Sequence, residues 1–122
     1  MDALYEMQAD VLKTLANPRR LEIIHRLANG PSDVGRLAAE MGIAQPNLSQ
    51  HLALMRTAGI VEGSRVGREV RYRLTDDDIM AACNLMRRVL ERRLRRLSDL
   101  YQMETGDRAA VAANGRGAAS TR

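Results

Sequence analysis

Hydrophobic residues recur every three or four positions over most of the chain, which is the spacing of a helix that buries one face. The first such stretch contains Leu4, Met7, Val11, Leu12 and Leu15. Asn17-Pro18 interrupts it, and because asparagine caps helices and proline suits their first turn, a second helix is predicted to begin there. This second helix ends at Asn29-Gly30-Pro31, and its apolar stripe comprises Leu21, Ile24, Leu27 and Ala28.

A short helix, a tight turn and another helix are predicted next. Asp33 is placed to cap a helix over residues 34–41, and Gly42 ends that helix. Pro46 marks the first turn of the fourth helix, which is predicted to reach about residue 58. Its inward positions are Leu48, Leu52 and Met55. Two helices joined by a turn that contains glycine form a helix-turn-helix.

Beyond residue 60 the pattern changes from helical spacing to alternation. Val70, Tyr72 and Leu74 alternate with charged residues, as in a half-buried strand. An earlier strand is predicted to contain Ile60, Val61 and Val66, and Gly67-Arg68 is the predicted hairpin turn. A two-stranded hairpin after a helix-turn-helix is a wing, so the predicted fold is a winged helix-turn-helix, mainly α with a small β-hairpin.

The last predicted helix begins with Thr75 as its cap, followed by three aspartates that favour the positive end of the helix dipole. Its apolar residues then recur at nearly heptad spacing, at Ile79, Cys83, Met86, Leu90, Leu94, Leu97 and Tyr101. A helix of roughly 25 residues is too long for so small a domain to cover, so a second copy of the chain is expected to pack against it.

Six arginines also crowd this last helix and allow two interpretations. They could form a second surface for nucleic acid. Alternatively, their long aliphatic stems could cover a helical interface while the charged heads stay in water, which is the favoured interpretation. The residues are Arg87, Arg88, Arg92, Arg93, Arg95 and Arg96.

Composition fits one domain built mostly from helices. The 122 residues contain neither Phe nor Trp, so the core must consist of Leu, Ile, Val, Met and Ala. Residues 1–104 are predicted to form the domain. Residues 105–122, which offer almost nothing to bury, are predicted to form a disordered tail. The net charge is +4, and every basic residue except Lys13 is an arginine, the side chain best shaped to bind phosphates and guanine edges.

The cellular compartment is predicted from what the chain lacks. Cys83 is the single cysteine, which excludes a disulfide within one chain. The N-terminal residues are acidic without an apolar export segment, and no stretch approaches the ~20 apolar residues of a membrane span. We therefore expect a cytoplasmic protein that does not associate with membranes.

Several motifs in this order resemble the ArsR/SmtB family of winged helix-turn-helix repressors. They lie at residues 15–24, 34–38, 47–52, 55–56, 58–61 and 67–74, and the resemblance spans about residues 4–103. It implies four helices, two strands and a fifth helix in that order. It also implies a homodimer formed through the first and last helices, and release from the operator when a metal or another signal is sensed.

The N-terminal half of the fourth helix is the predicted reading surface for double-stranded DNA, because a helix fits the major groove and its first residues reach base edges. With the apolar residues facing the core, the exposed set is Gln45, Asn47, Ser49, Gln50 and His51. These amides and hydroxyls favour contacts with adenine and thymine. The alternative interpretation is a solvated polar face. Ala44 departs from the family, which usually carries a capping Ser or Thr there.

Arginines around this helix are predicted to position the protein on DNA. Arg68 at the hairpin turn is expected to reach the minor groove or its phosphates, with Arg65 and Arg71 beside it. Arg36 and Arg56 flank the fourth helix, which we call the recognition helix, and are predicted to be further phosphate contacts. The alternative is that the wing arginines only confer solubility, and two glutamates, Glu62 and Glu69, partly neutralise them.

The sequence indicates least about the inducer, the signal that would release the protein from DNA. The third-helix cysteines that the family uses for arsenic and the histidines of its last-helix zinc site are missing here, so no metal site and no cofactor are predicted. His25 is interpreted as a structural residue. Cys83 is a possible thiol switch, although a small buried hydrophobe is the commoner role of a free cysteine. A small apolar ligand between methionine-lined subunits is another possible inducer.

The predicted function is sequence-specific repression of the protein's own or a neighbouring operon through a palindromic operator. The alternative is an adaptor or dimerisation module that uses the same fold for protein contacts; the arginine-bearing wing disfavours it. No nucleophile paired with a base, no phosphate-binding loop and no paired carboxylates in a cleft are apparent, so an enzyme is not expected.

Overall fold

We describe a computed structural model of the chain. It describes residues 2–107 with their side chains and the backbone as far as residue 120. The chain divides into two compact units, one ending at Cys83 and one beginning at Asn84. The disordered tail predicted for residues 105–122 overlaps the last helix, whose backbone is described as far as Ser120. The predicted domain boundary at residue 104 stays a prediction.

The first unit opens with α1 (Asp2–Leu15) and α2 (Pro18–Leu27). Asn17 caps α2 as predicted: its Oδ1 accepts hydrogen bonds from the backbone N–H groups of Arg19 at 2.9 Å and Arg20 at 3.2 Å. Capping by a side-chain oxygen satisfies donors that have no partner inside the helix, and it typically contributes about 1 kcal/mol to stability.

The helix-turn-helix consists of α3 (Val34–Met41) and α4 (Gln45–Thr57). Asp33 caps α3 by accepting the N–H of Arg36 at 2.8 Å, as predicted. Gly42 ends α3 in the left-handed conformation, with φ 68°, which glycine adopts without a steric penalty. The turn of three residues then redirects the chain into α4.

The sheet has one strand more than the sequence predicted. The wing strands are β2 (Val61–Val66) and β3 (Glu69–Leu74), and a two-residue strand, β1 (Ser32–Asp33), pairs with β3. The order is β1-β3-β2, with both pairs antiparallel. The predicted two-stranded hairpin is confirmed, and β1 was not predicted because two residues are too few to produce an alternating pattern in the sequence.

One apolar core joins α2, α3 and α4 to the base of the wing. The fully buried side chains are Ile23, Ile24, Leu37, Leu48, Leu52, Met55, Ile60 and Val61. Burying each of these contributes about 1.5–3 kcal/mol relative to exposure. In α2 the predicted stripe was partly wrong: Leu21 is 45% exposed and Ala28 is exposed, whereas Ile23 is completely buried.

The last helix, α5 (Asp78–Ser120), begins three residues after the predicted cap. Thr75 does not cap it. The Thr75 hydroxyl donates instead to the carbonyl oxygens of Gly59 at 2.7 Å and Ile60 at 3.1 Å, and so ties the end of β3 to the end of α4. Asp76 Oδ1 takes the capping role by accepting the N–H of Asp78 at 2.9 Å. Ile79, Met80 and Cys83 pack against the core of the first unit.

The second unit contains the remainder of α5, and within residues 84–107 the apolar side chains are exposed. They include five of the residues predicted at heptad spacing, which together we call the heptad seam. These five are 48–68% exposed, namely Met86, Leu90, Leu94, Leu97 and Tyr101. In the first unit α1 is similarly uncovered at Leu4, Tyr5, Met7 and Leu12. Exposed apolar surface of this extent in a small protein is typical of a protein–protein interface.

Candidate nucleic-acid interface

The first two turns of α4 present a polar surface held in place by the core. Leu48, Leu52 and Met55 fix one side of the helix with no solvent exposure. The opposite side leaves four of the five predicted base-contacting residues exposed, and His51 is half-buried. The exposed residues are Gln45, Asn47, Ser49 and Gln50.

The N-terminus of α4 has no side-chain cap. Ala44 occupies the capping position in an extended conformation, with φ −66° and ψ 138°, and no side-chain hydrogen bond satisfies the first turn. Pro46 has no N–H, and the Asn47 N–H donates to the Ala44 carbonyl oxygen at 3.0 Å. The positive end of the helix dipole makes such a terminus compatible with a phosphate group.

His51 lies on the flank of α4 that is close to the start of α2. Burial lowers the pKa of its imidazole below 6.5, and the positive charges of Arg20 and Arg19 lower this pKa further. At neutral pH the imidazole is therefore uncharged, and its ring can donate one hydrogen bond and accept another.

The two flanking arginines differ in their partners. Arg36 Nε lies 2.9 Å from Glu40 Oε1, and Glu40 also lies 3.6 Å from Nη1 of Arg26. These contacts link α2 to α3 through exposed ion pairs of the kind that each contribute little to stability. Arg56, in the last turn of α4, is exposed and has no ion pair among the described residues.

The wing turn follows from the strand register. Val66 pairs with Glu69, so only Gly67 and Arg68 form the turn. Gly67 has φ 63°, the left-handed value that glycine supplies at the first central position of a type II′ turn. Arg68 consequently lies at the tip of the hairpin and is exposed, as predicted from the sequence.

The wing arginines divide between the two faces of the sheet. Cross-strand partners share a face, so Arg65 lies with its partner Val70 on the half-buried face, and Arg71 lies with Ser64 on the other. Arg73 shares the face of Arg71 but forms an ion pair with Glu62. Within the described residues, Arg65, Arg68 and Arg71 have no such partner, which makes them the wing cations free to meet phosphates.

Cys83 is half-buried in the first turns of α5, and burial raises the pKa of its thiol. The nucleophilic thiolate is thus a minor species at neutral pH, which slows oxidation.

Among the described residues no group of three or more His, Cys, Asp or Glu side chains is arranged to hold a metal ion. No helix within that part of the chain is both long and apolar enough to cross a bilayer.

Arg19 and Arg20 are the residues near the recognition helix to which the sequence assigned no role. Their position beside His51 depends on how α2 packs on α4, which no short-range pattern encodes. The one available indication was two consecutive basic residues directly after the Asn17-Pro18 cap.

Comparison with known proteins identifies the family. A sequence profile described as "Bacterial regulatory protein, arsR family" matches residues 17–63. The HTH-type transcriptional regulator Rv0081 of Mycobacterium tuberculosis is 34% identical over 110 residues, which cover 88% of this chain and 96% of that protein. The chain belongs to the arsR family. This confirms the resemblance that its sequence motifs indicated.

Other relatives of this arsR-family protein match over a shorter region. The biofilm growth-associated repressor of Agrobacterium fabrum is 48% identical over 69 residues, which are 57% of this chain and 59% of that repressor. The chain thus spans about three-fifths of the length of this curated relative.

Solved structures confirm the winged helix-turn-helix fold. The crystal structure of Rv0081 aligns with a TM-score of 0.68 at 37% identity, covering 75% of this chain and 92% of that one. A Mycobacterium bovis domain, described as a homodimeric winged helix-turn-helix DNA-binding domain, aligns with a TM-score of 0.68 at 33% identity, covering 74% of this chain and 83% of that one.

Proposed function

We propose that this arsR-family protein is a homodimeric repressor that binds a palindromic operator in double-stranded DNA. The observation that carries the proposal is the exposed polar surface on the first two turns of α4, held by three completely buried apolar residues. Asn and Gln amides can bind the major-groove edge of adenine through two hydrogen bonds. We therefore assign base recognition to Asn47 and Gln50, with Gln45 and Ser49 beside them.

The wing supplies the contacts that do not depend on sequence. Arg68 at the hairpin tip is placed to meet a phosphate or the minor groove, and Arg65 and Arg71 are additional cations without an ion pair in the described residues. Arg36 and Arg56 are proposed as phosphate contacts on either side of α4. Arg36 would have to exchange Glu40 for a phosphate, so we expect Arg56 to contribute more.

A second copy of the chain is the proposed cover for the exposed apolar residues of α1 and α5. Two-fold symmetry would then present two recognition helices to one duplex, about 34–36 Å apart or a multiple of this distance. The Agrobacterium relative is named a repressor, which supports repression by occupancy of an operator. The inducer stays a prediction from the sequence: an oxidant acting at Cys83, or a small molecule.

The test begins by sequencing the genomic fragments that the purified protein selects and measuring its affinity for them and for random DNA at several salt concentrations. We expect Gln50→Ala to weaken operator binding by roughly 1–3 kcal/mol and to leave binding to random DNA unchanged. Arg68→Ala is expected to weaken both, and to reduce the slope of log affinity against log salt by about one unit.

Arg73→Ala is the matched control for Arg68→Ala, because Arg73 lies in the same hairpin but is neutralised by Glu62. We expect it to change the salt slope much less. Absence of any salt-dependent DNA binding by the unmodified protein would refute the proposal and favour the adaptor interpretation. A normal salt slope in Arg68→Ala would refute the role of the wing.

A further inference from the structure

A second cluster of basic groups lies beside the recognition helix, apart from the wing. It consists of Arg19 and Arg20, at the start of α2, and His51, on the flank of α4, and we call it the α2–α4 patch. The two arginines are close enough to His51 for their charges to lower its pKa, in addition to the effect of burial. The positive potential comes from the two arginines of α2, which packs against α4, since His51 is uncharged at neutral pH.

The positive charge of the α2–α4 patch is poorly compensated. Arg20 has no ion pair among the described residues, and its Nε atom is buried without a hydrogen-bond partner. Arg19 lies 3.5 Å from Glu22, but the same carboxylate lies 3.0 Å from Nε of Arg26. Glu22 is therefore shared by two guanidinium groups, those of Arg19 and Arg26, and the patch retains net positive charge that an anion would neutralise.

The position of His51 relates the patch to a bound duplex. His51 lies between the buried side of α4 and the exposed side that carries Asn47 and Gln50. An α-helix with its side chains is about 10–12 Å across, and the major groove is about 12 Å wide. A helix that fills the groove brings residues on its flanks close to the phosphates at the groove edges.

We propose that Arg19 and Arg20 form a contact with the DNA backbone, holding phosphates at the edge of the groove that α4 enters. This inference rests on the proposed function and adds to it a second anchor, on a different element from the wing. Contacts of this kind fix the register of a protein on DNA but carry no sequence information. Arg20 is already half-buried, so ordering it on a phosphate costs less side-chain entropy than ordering a fully exposed arginine.

The experiment measures binding to a fluorescent random-sequence duplex of about 30 bp, three helical turns, between about 50 and 200 mM salt. Random DNA suffices because phosphate contacts do not require an operator. We expect Arg19→Gln and Arg20→Gln each to reduce the slope of log affinity against log salt by about 0.9. Arg20→Lys retains the charge and is expected to keep the slope of the unmodified protein, which a purely packing role for Arg20 would not predict.

Arg26→Gln is the matched control, since it removes the same charge from the same helix at a residue held by Glu22 and Glu40. Its slope is expected to stay unchanged. An equal reduction in all three glutamine variants would indicate a general effect of net charge and overturn the proposal. Unchanged slopes in Arg19→Gln and Arg20→Gln, with normal salt-dependent binding by the unmodified protein, would overturn the patch alone. Failure of the unmodified protein to bind DNA would overturn the proposed function as well.

Discussion

His51 is a residue whose pKa departs from that of an ordinary histidine. Its pKa lies below 6.5 because burial and then the charges of Arg20 and Arg19 disfavour the imidazolium. The unfolded chain, with an ordinary histidine, binds a proton more readily than the folded chain. The contribution of His51 to stability is therefore complete above pH 6.5 and is lost as the pH falls below that value.

This linkage is measurable. We expect the imidazole resonances of His51 to titrate below pH 6.5, and the free energy of unfolding in urea to decrease on acidification through that region. In His51→Gln this part of the pH dependence is expected to disappear, because glutamine does not titrate. A His51 midpoint at or above 6.5 would contradict the inferred proximity of Arg19 and Arg20.

At the scale of the element, α4 lacks a feature that α2 and α3 both have. Asn17 and Asp33 cap those helices with side-chain oxygens, whereas Ala44 leaves the first turn of α4 uncapped. Ala44 already has the extended conformation of a capping residue. Ala44→Thr is therefore expected to raise the free energy of unfolding by about 0.5–1 kcal/mol, measured by urea denaturation.

Ala44→Val is the matched control, since valine has the shape of threonine without the hydroxyl oxygen that accepts the hydrogen bond. It is expected to give no stabilisation. Equal stabilities of the two variants would show that shape, not capping, decides this position. If the uncapped terminus serves DNA, Ala44→Thr should also change affinity for the duplex, and the same proteins allow that measurement.

The elements that the sequence predicted correctly are those specified by local chemistry. Asn17-Pro18, Asp33, Gly42 and Gly67 act within a few residues of their position, and the structure confirms each of them. Features that depend on distant contacts were missed. Strand β1 exists only because β3 lies beside it.

Thr75 illustrates the same limit. A hydroxyl before three aspartates is typical of a cap, but the carbonyl groups of Gly59 and Ile60, sixteen and fifteen positions earlier, accept its hydrogen bond instead. Whether Leu21 or Ile23 of α2 is buried likewise depends on the angle at which that helix packs against its neighbours. The placement of Arg19 and Arg20 beside His51 belongs to this class of tertiary features.

For the whole molecule, exposed apolar residues are concentrated on α1 and α5, and α5 carries arginines beside them. The net charge is only +4, so attraction to DNA depends on where unpaired arginines lie rather than on their number. In the described residues, arginines without an ion pair occur on the wing, at the end of α4, at Arg20 of the α2–α4 patch and along α5, where only Arg87 is paired, with Glu91. The exposed leucines of α5 have no corresponding role in binding a polyanion, and we assign them to the dimer.

Leu94 tests this assignment because it is 65% exposed and lies on the predicted heptad seam. In a symmetric dimer each substitution occurs twice, so Leu94→Glu would remove two buried leucines and place two like charges at the interface. We expect the dimer to weaken by about 3 kcal/mol or more, a factor of over 100 in its dissociation constant, measured by sedimentation equilibrium.

Leu85→Glu is the control, since Leu85 is 60% exposed on the same helix but lies off the seam. It introduces the same charge, so a general effect of acidity on α5 would appear equally in both variants. If the dimer forms along the seam, only Leu94→Glu yields monomers, and the same variant loses operator affinity because one recognition helix cannot hold two half-sites. Monomers from both variants, or from neither, would place the interface elsewhere, and the spacing between recognition helices would then have to be set by another surface.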